Sequence, residues 1–360
     1  MGRNTGTTAG IRTNCFSSTV LFLTEVLNLE IAYYDKKNEF VQLKLFSGEI
    51  LEVFGSKNLW HPFTTTPDWE VIIADVRHRK EKIGERKDKK ENPMPTVTSK
   101  DGTKIAFEKV GSGPAVILVN GAMSYRRAFG TTLEDLADLL GEHFTVYNYD
   151  RRGRGESTNT HPFTKVREME DIQALVEEAG GKAMLVGFSS GGAVTLETIA
   201  VTPGVTKAFV YEVPFIVDDS RQPLDDYAGH TTRLVAEGKL DELLEYFITV
   251  VAGIPAEFVG GIKQDQAMWA RMRAIAPTLP HDAAFMSEFM KGKPLPAGYW
   301  SKVKVPVLVG DGGASPVWLR NAAKALAEAL PHTSRKTFEG QTHSVDPNVL
   351  APVIIEFFKK

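Results

Sequence analysis

The stretch Met184-Leu185-Val186-Gly187-Phe188-Ser189-Ser190-Gly191-Gly192-Ala193 indicates how this chain folds. It begins as an apolar strand, passes through the pattern Gly-x-Ser-x-Gly and continues directly into residues with helical spacing. This is the context of a nucleophile elbow, a tight bend that leaves a serine hydroxyl exposed. The start of the following helix carries partial positive charge, which favours an oxyanion there. The sequence therefore predicts that Ser189 is a nucleophile.

Strand-like and helix-like segments alternate on both sides of this elbow. Short apolar strands are predicted at residues 115–120 and 145–149 before it, and at residues 207–211 and 305–309 after it. Short apolar strands that alternate with helices are typical of a parallel sheet covered on both faces. Residues 214–300 break this rhythm with mostly helical patterns, which predicts an inserted helical cap.

A serine hydroxyl needs a base, and His343 is the best candidate. It follows Gly340-Gln341-Thr342 and comes after the last predicted strand, at residues 335–338. This position gives the chain order serine, acid, histidine that accompanies such an elbow. We expect His343 to lie on a loop at the edge of the sheet.

Residues 95–360 resemble the α/β-hydrolase superfamily. Besides the elbow, Val119-Asn120-Gly121-Ala122 stands where the family usually has His-Gly, and a second family motif runs from Asp150 to Ser157. The resemblance implies that the backbone N–H groups of Ala122 and Ser190 form an oxyanion hole. Backbone donors do not depend on the neighbouring side chain, so Asn120 is compatible with this role. We interpret Asp150 to Ser157 as a structural turn.

The acid of the predicted triad is missing from the family's usual position. The family commonly places it in the loop after the strand at residues 305–309, but Ser315 occupies that position. Two carboxylates could replace it, namely Asp311 in the same loop and Glu212 at the end of the preceding strand. Some family members carry the acid at this earlier place, and we favour Glu212. Either carboxylate would orient the imidazole and stabilise the imidazolium.

The first 76 residues resemble half of a vicinal-oxygen-chelate (glyoxalase-like) domain, a small α+β module. In that family a metal is held by paired modules, and Glu52 falls at one ligand position. The other ligands are not visible, and one carboxylate cannot hold a divalent ion, so we expect no metal. Residues 77–94 are densely charged and end in prolines, which predicts a linker. The helix is predicted at residues 22–29 and the strands at residues 31–34, 40–45, 49–54 and 71–76.

The composition of the chain limits which binding partners and which cellular compartment are expected. The formal net charge is -3, which argues against nonspecific nucleic-acid or membrane binding. Cys15 is the lone cysteine, so folding needs no intramolecular disulfide and a cytoplasmic location is expected. The apolar run at residues 20–23 is too short for a signal-peptide core. We expect a small-molecule substrate and no cofactor, and the open sheet edges of the N-terminal module allow self-association through that module.

These observations predict a serine hydrolase that cleaves a small to medium, largely apolar ester, thioester or lactone through an acyl-enzyme. A cofactor-free perhydrolase or a carbon–carbon bond hydrolase would use the same side chains. A catalytically weak ligand-binding sensor is an alternative from another class, suggested by Ser315 at the usual acid position. Metal-dependent chemistry in the first module is a further alternative.

Overall fold

The computed structural model describes residues 94–126 and 132–360, together with the backbone of four strands in the first 55 residues. These strands form one sheet in the order β1-β4-β3-β2, with β1 parallel to β4 and the other pairs antiparallel. Their bounds are β1 (Ala9–Thr13), β2 (Glu30–Asp35), β3 (Phe40–Lys44) and β4 (Ile50–Gly55).

Three of the predicted N-terminal strands therefore have observed counterparts. The predicted helix at residues 22–29, the strand at residues 71–76 and nearly all of the linker lie outside the described residues. The glyoxalase-like resemblance of this module stays a prediction.

The chain divides into two compact units. One comprises the N-terminal 92 residues together with Pro255–Arg271, and the other contains nearly all of the remaining chain. The second unit is built on an eight-stranded sheet in the order β12-β11-β10-β9-β7-β8-β6-β5. Its strands are β5 (Thr96–Thr98), β6 (Lys104–Gly111), β7 (Ala115–Val119), β8 (Thr145–Tyr149), β9 (Ala183–Phe188), β10 (Val205–Tyr211), β11 (Val307–Gly312) and β12 (Thr333–Phe338).

All neighbouring pairs from β8 to β12 are parallel, while β6 runs antiparallel to β8 and β5 antiparallel to β6. The predicted α/β class with a mostly parallel sheet is confirmed. The helices that connect or follow these strands are α1 (Thr132–Gly141), α2 (Lys165–Glu178), α3 (Ser190–Ile199), α9 (Val317–Ala329) and α10 (Pro347–Lys359).

Between β10 and β11 the chain is mostly helical, as the sequence predicts for residues 214–300. The helices there are α4 (Tyr227–Ala236), α5 (Leu240–Tyr246), α6 (Glu257–Gln264), α7 (Gln266–Ile275) and α8 (Leu279–Met286). Helix α5 continues into a π-helix, Phe247–Val251. Helix α6 and the first part of α7 belong to the unit that contains the N-terminal sheet.

The central strands are apolar because both faces of the sheet are covered. All six residues of β9 are buried. One apolar cluster joins α2, α3 and α9 to one face, and a second joins α1 and α10 to the other. Because the strands from β7 to β11 are parallel, their carboxyl ends meet at one edge of the sheet, where the loops that follow them can bring side chains together.

Candidate active site

The elbow predicted around Ser189 is a sharp turn between β9 and α3. Ser189 has φ +52° and ψ −128°, a backbone conformation that non-glycine residues rarely adopt. A Cβ at Gly187 would collide with the side chain of Thr195, and one at Gly191 would collide with the carbonyl oxygen of Val119. The two glycines of the motif are therefore required by the packing of the turn. Backbone strain of this kind clusters at functional sites.

The loop after β7 passes directly beside the serine hydroxyl. A Cβ added to Gly121 would lie 3.0 Å from Cβ of Ser189 and 3.6 Å from its Oγ. Ala122, the next residue, is half-buried. The backbone N–H of Ser189 donates to the carbonyl of Tyr211, at the end of β10, over 2.9 Å. The ends of β7, β9 and β10 are thus contiguous at Ser189.

Glu212 follows β10 immediately and is fully buried. Its φ is +43°, a second left-handed conformation at a non-glycine residue. Oε1 accepts a hydrogen bond from the backbone N–H of Gly312 over 2.8 Å, and Oε2 lies 2.8 Å from Nδ1 of His343. Both carboxylate oxygens are engaged, which fixes the plane of the carboxylate toward the imidazole.

The structure brings His343 to Glu212 and leaves Asp311 in other contacts. Asp311 is fully buried, and its two oxygens accept hydrogen bonds from Nε and Nη2 of Arg335, both over 2.8 Å. Thr337 donates to the same carboxylate over 3.2 Å. Ser315 is buried, and within the described part of the chain its Oγ has no hydrogen-bond partner.

Tyr211 anchors the loop that carries His343, a contact that the sequence does not predict. Its hydroxyl donates to the carbonyl oxygen of Thr342 over 2.6 Å. Burial raises the pKa of Tyr211 far above its usual range, and the carboxylates of Glu212 and Asp311 raise it further. The phenol therefore keeps its proton and remains a donor, while the side chain of His343 is 47% exposed.

A buried charged cluster behind the elbow was also missed. The carboxylate of Asp282, on α8, accepts hydrogen bonds from Arg151, Arg154 and the hydroxyl of Ser190. Burial alone would raise the pKa of Asp282, but the charges of Arg151 and Arg154 outweigh it and hold the value at about 2. These arginines belong to the motif that we interpreted as a structural turn, so that interpretation overlooked their contacts with the site.

The remaining site prediction concerns Glu52. It lies on β4, in register with Gly10 on β1 and Gln42 on β3, and its side chain is outside the described residues. Among the residues whose side chains are described, no three His, Cys, Asp or Glu are grouped so that they could hold a metal ion. In the same part of the chain, no helix is both long and apolar enough to cross a membrane.

Comparison with known families supports the fold. The family described as "Alpha/beta hydrolase family" matches residues 116–352. The chain belongs to the α/β-hydrolase family. This matched range contains the elbow, Glu212 and His343, and it begins after the N-terminal module.

Three relatives extend this finding. The hydrolase is similar to the crystal structure of an α/β hydrolase from Sphaerobacter thermophilus, with 44% identity, a TM-score of 0.65, and coverage of 73% of this chain and 100% of the other. It is 23% identical to a zearalenone hydrolase from Cladophialophora bantiana over 74% of this chain and 96% of the relative. It is 30% identical to ethanol acetyltransferase 2 from Hanseniaspora uvarum over 89 residues, spanning 24% of this chain and only 25% of that protein's length. The family and the relatives support hydrolase activity in general.

Proposed function

We propose that this protein is a serine hydrolase that cleaves a small to medium, largely apolar ester, thioester or lactone through an acyl-enzyme. Ser189 is the nucleophile, His343 the base and Glu212 the acid. The backbone N–H groups of Ala122 and Ser190 stabilise the oxyanion. Asp311, the other carboxylate weighed from the sequence, has no part in this proposal because its oxygens are engaged by Arg335.

The contact between His343 and Glu212 carries the proposal. With a carboxylate 2.8 Å from Nδ1, the neutral imidazole keeps its proton on Nδ1, and Nε2 is the basic nitrogen. The sensor alternative was suggested by the missing acid at Ser315. The contact between Glu212 and His343 weakens that alternative, because Glu212 can take the place of the missing acid. The strained backbone of Ser189 beside Gly121 adds independent support, because an elbow that only turned the chain would not need a serine there.

The proposed reaction has two stages. Oγ of Ser189 attacks the carbonyl carbon, and its proton passes to Nε2 of His343. The tetrahedral oxyanion is held by the two backbone donors until the bond to the leaving group breaks. His343 then protonates the departing oxygen or sulfur, and the acyl group remains on Ser189. Water, deprotonated by the same histidine, attacks the acyl-enzyme and releases the acid.

The apolar substrate class is inferred from the region between β10 and β11. Phe285, Met286, Phe289 and Met290 are buried in the main apolar cluster, so they stabilise the fold of this region. A helical segment over the open edge of a sheet normally roofs the pocket, and ligand pockets are lined mostly by apolar side chains. The names of the relatives, a zearalenone hydrolase and an ethanol acetyltransferase, agree with a small-molecule substrate.

The replacement Ser189→Ala tests the proposal in a p-nitrophenyl ester assay. We expect kcat to fall by roughly 10³-fold or more, because only the residual catalysis of the oxyanion donors and of substrate binding remains. Unchanged turnover in this variant would contradict the proposal.

Ser315→Ala is the matched control. Its hydroxyl is buried in the loop after β11, and no partner for it is found among the described residues. The same chemical change at this position removes no hydrogen bond, so we expect kcat within about 2-fold of the unmodified enzyme and no loss of stability.

A further inference from the structure

We infer that Arg154 and Asp282 are positioning residues that fix both backbone donors of the oxyanion hole, an inference that rests on the proposed function. The two residues lie far apart in the chain, Arg154 in the loop after β8 and Asp282 on α8. One ion pair joins their side chains. Each of the two side chains also contacts a different one of the two backbone segments that carry the proposed oxyanion donors.

The first donor segment is the peptide unit between Gly121 and Ala122. Nη1 of Arg154 donates to the carbonyl oxygen of Gly121 over 2.7 Å, and to that of Ser124 over 3.3 Å. The peptide unit is planar, so its C=O and the N–H of Ala122 point in opposite directions. Fixing the carbonyl therefore fixes the direction of the N–H. A positive charge on the carbonyl side also polarises the unit and strengthens the N–H as a donor.

The second donor segment is the first turn of α3. The hydroxyl of Ser190 donates to Oδ1 of Asp282 over 2.7 Å, and the backbone N–H of Ser190 is the other proposed donor. Tethering this side chain restricts the rotation of the residue at the start of the helix. Asp282 thus holds Ser190 through Oδ1 and Arg154 through Oδ2.

Arg151 supports the same arrangement from the other side. Its Nη1 donates both to Oδ1 of Asp282 and to the carbonyl oxygen of Asn120, the latter over 3.2 Å, while its Nε and Nη2 bind Glu168. The side chains of Arg151, Arg154, Asp282 and Glu168 are all 2% exposed or less. Charges buried this deeply are only weakly screened by solvent, so the ion pairs of the cluster are held firmly.

Stability alone does not account for this cluster. A buried ion pair generally contributes no more to stability than apolar side chains of similar volume. Ion pairs that hold the carbonyl groups of the loop after β7, which carries Ala122, instead give a preorganised environment that does not have to reorganise when charge develops. The contacts of Arg154 and Asp282 converge on the two peptide units that carry the proposed donors.

The experiment compares a ligand that forms an oxyanion with one that does not. Trifluoroacetophenone forms a tetrahedral adduct with a serine nucleophile, and acetophenone measures binding without an adduct. For Arg154→Met and Asp282→Asn we expect affinity for trifluoroacetophenone to fall about 10- to 100-fold, with a parallel fall in kcat for a p-nitrophenyl ester. Affinity for acetophenone should stay within about 2-fold of that of the unmodified enzyme.

Arg152→Met is the matched control. Arg152 lies with Arg154 in the loop after β8 and is equally buried. It binds Asp171, Asp101 and the carbonyl of Arg167, and not the loop after β7 that carries Ala122. The Arg152→Met replacement should lower Tm but leave unchanged the ratio of the affinity for trifluoroacetophenone to the affinity for acetophenone. A merely structural role for Arg154 and Asp282 predicts the same unchanged ratio in their variants, and that result would overturn the inference.

Ser190→Ala covers the case in which the charge variants do not fold. It deletes one hydroxyl, so we expect a folded protein whose affinity ratio falls by about 3- to 10-fold. An unchanged ratio here would equally overturn the inference. The proposed function fails in a different way, because Ser189→Ala would then bind trifluoroacetophenone as tightly as the unmodified enzyme.

Discussion

At the scale of single residues, Glu212 is the side chain on which the proposed triad depends. It is fully buried, it has a left-handed backbone conformation, and its two oxygens bind Gly312 and His343. A buried carboxylate with one oxygen on an imidazole sets the tautomer of that imidazole and stabilises its protonated form. Asp311 lies on the neighbouring strand, and its charge is matched by Arg335.

The pair of variants Glu212→Gln and Asp311→Asn separates these two carboxylates. Glutamine keeps the shape of Glu212 but removes the charge and disfavours the productive tautomer, so we expect kcat for a p-nitrophenyl ester to fall by about 10²- to 10⁴-fold. Asp311→Asn should leave kcat within about 3-fold and lower the free energy of unfolding by about 1 to 3 kcal/mol, because Arg335 loses its charged partner. Kinetics and urea denaturation of both variants measure these effects.

The opposite pattern, with activity lost in Asp311→Asn and kept in Glu212→Gln, would show that the triad acid is misassigned. If hydrolysis by the unmodified protein is slow and neither variant lowers it further, no working triad acid exists, and the alternative of a catalytically weak sensor gains support.

Local patterns were enough to predict Ser189 and His343 as candidates, because an elbow motif and chain order are both visible in the sequence. The choice between Glu212 and Asp311 needed coordinates, since it depends on which carboxylate faces the imidazole across neighbouring strand ends. The roles of Tyr211 and Asp282 could not be predicted. Their contacts join residues 131 and 92 positions apart in the chain.

At the scale of secondary-structure elements, helix α8 is joined to the rest of its unit by charged and aromatic contacts. His281 on this helix is buried, and its ring stacks on Phe163 with a centroid separation of 3.7 Å and an interplanar angle of 5°. Burial, together with the positive charge of Arg154, lowers the pKa of His281 to about 3. The histidine is therefore neutral in the folded enzyme above that pH.

This neutral histidine predicts a specific pH dependence of stability. Below about pH 6.5 the unfolded chain binds a proton at His281 that the folded chain does not bind until about pH 3. The free energy of unfolding should therefore fall as the pH drops through this window, by up to about 1.4 kcal/mol per pH unit. In His281→Phe this contribution is absent, while the stacking on Phe163 can be kept.

The measurement is the difference between the two stability curves, obtained by urea denaturation from pH 7 to pH 4. Burial raises the pKa of Asp171 to about 6, which has the opposite effect on stability, but it is common to both proteins and cancels in the difference. Parallel curves would contradict the assignment of His281 as a buried neutral residue.

The central strands could be predicted from the sequence. Strands β7 and β9 are buried on both faces, so their sequences are continuous apolar runs. Helix α2 was not predicted, and its inward face explains why. This face contains Glu168 and Asp171, which pair with Arg151 and Arg152 and interrupt the apolar spacing that marks a helix.

At the scale of the whole molecule, the chain combines a family domain with an N-terminal module. The family matches residues 116–352, and the relative from Sphaerobacter thermophilus is covered over its full length by 73% of this chain. The self-association predicted for the N-terminal module, and its glyoxalase-like character, stay predictions.

We expect a chain that begins at Met94 to retain ester hydrolysis, with kcat/KM within about 3-fold of the full chain, because every proposed site residue lies after that point. Its Tm should be lower, since Pro255–Arg271 belongs to the same compact unit as the removed residues. Enzyme kinetics and thermal unfolding of the two chains provide the comparison. A folded shorter chain without activity would mean that the N-terminal module contributes to the site.

The most direct test of the central claim is to locate the covalent adduct of a fluorophosphonate probe by mass spectrometry of peptides from the full-length protein. We expect one adduct on the peptide that contains Ser189, and much slower labelling in His343→Ala. An adduct confined to another residue, or no adduct in a preparation that hydrolyses p-nitrophenyl esters, would contradict it.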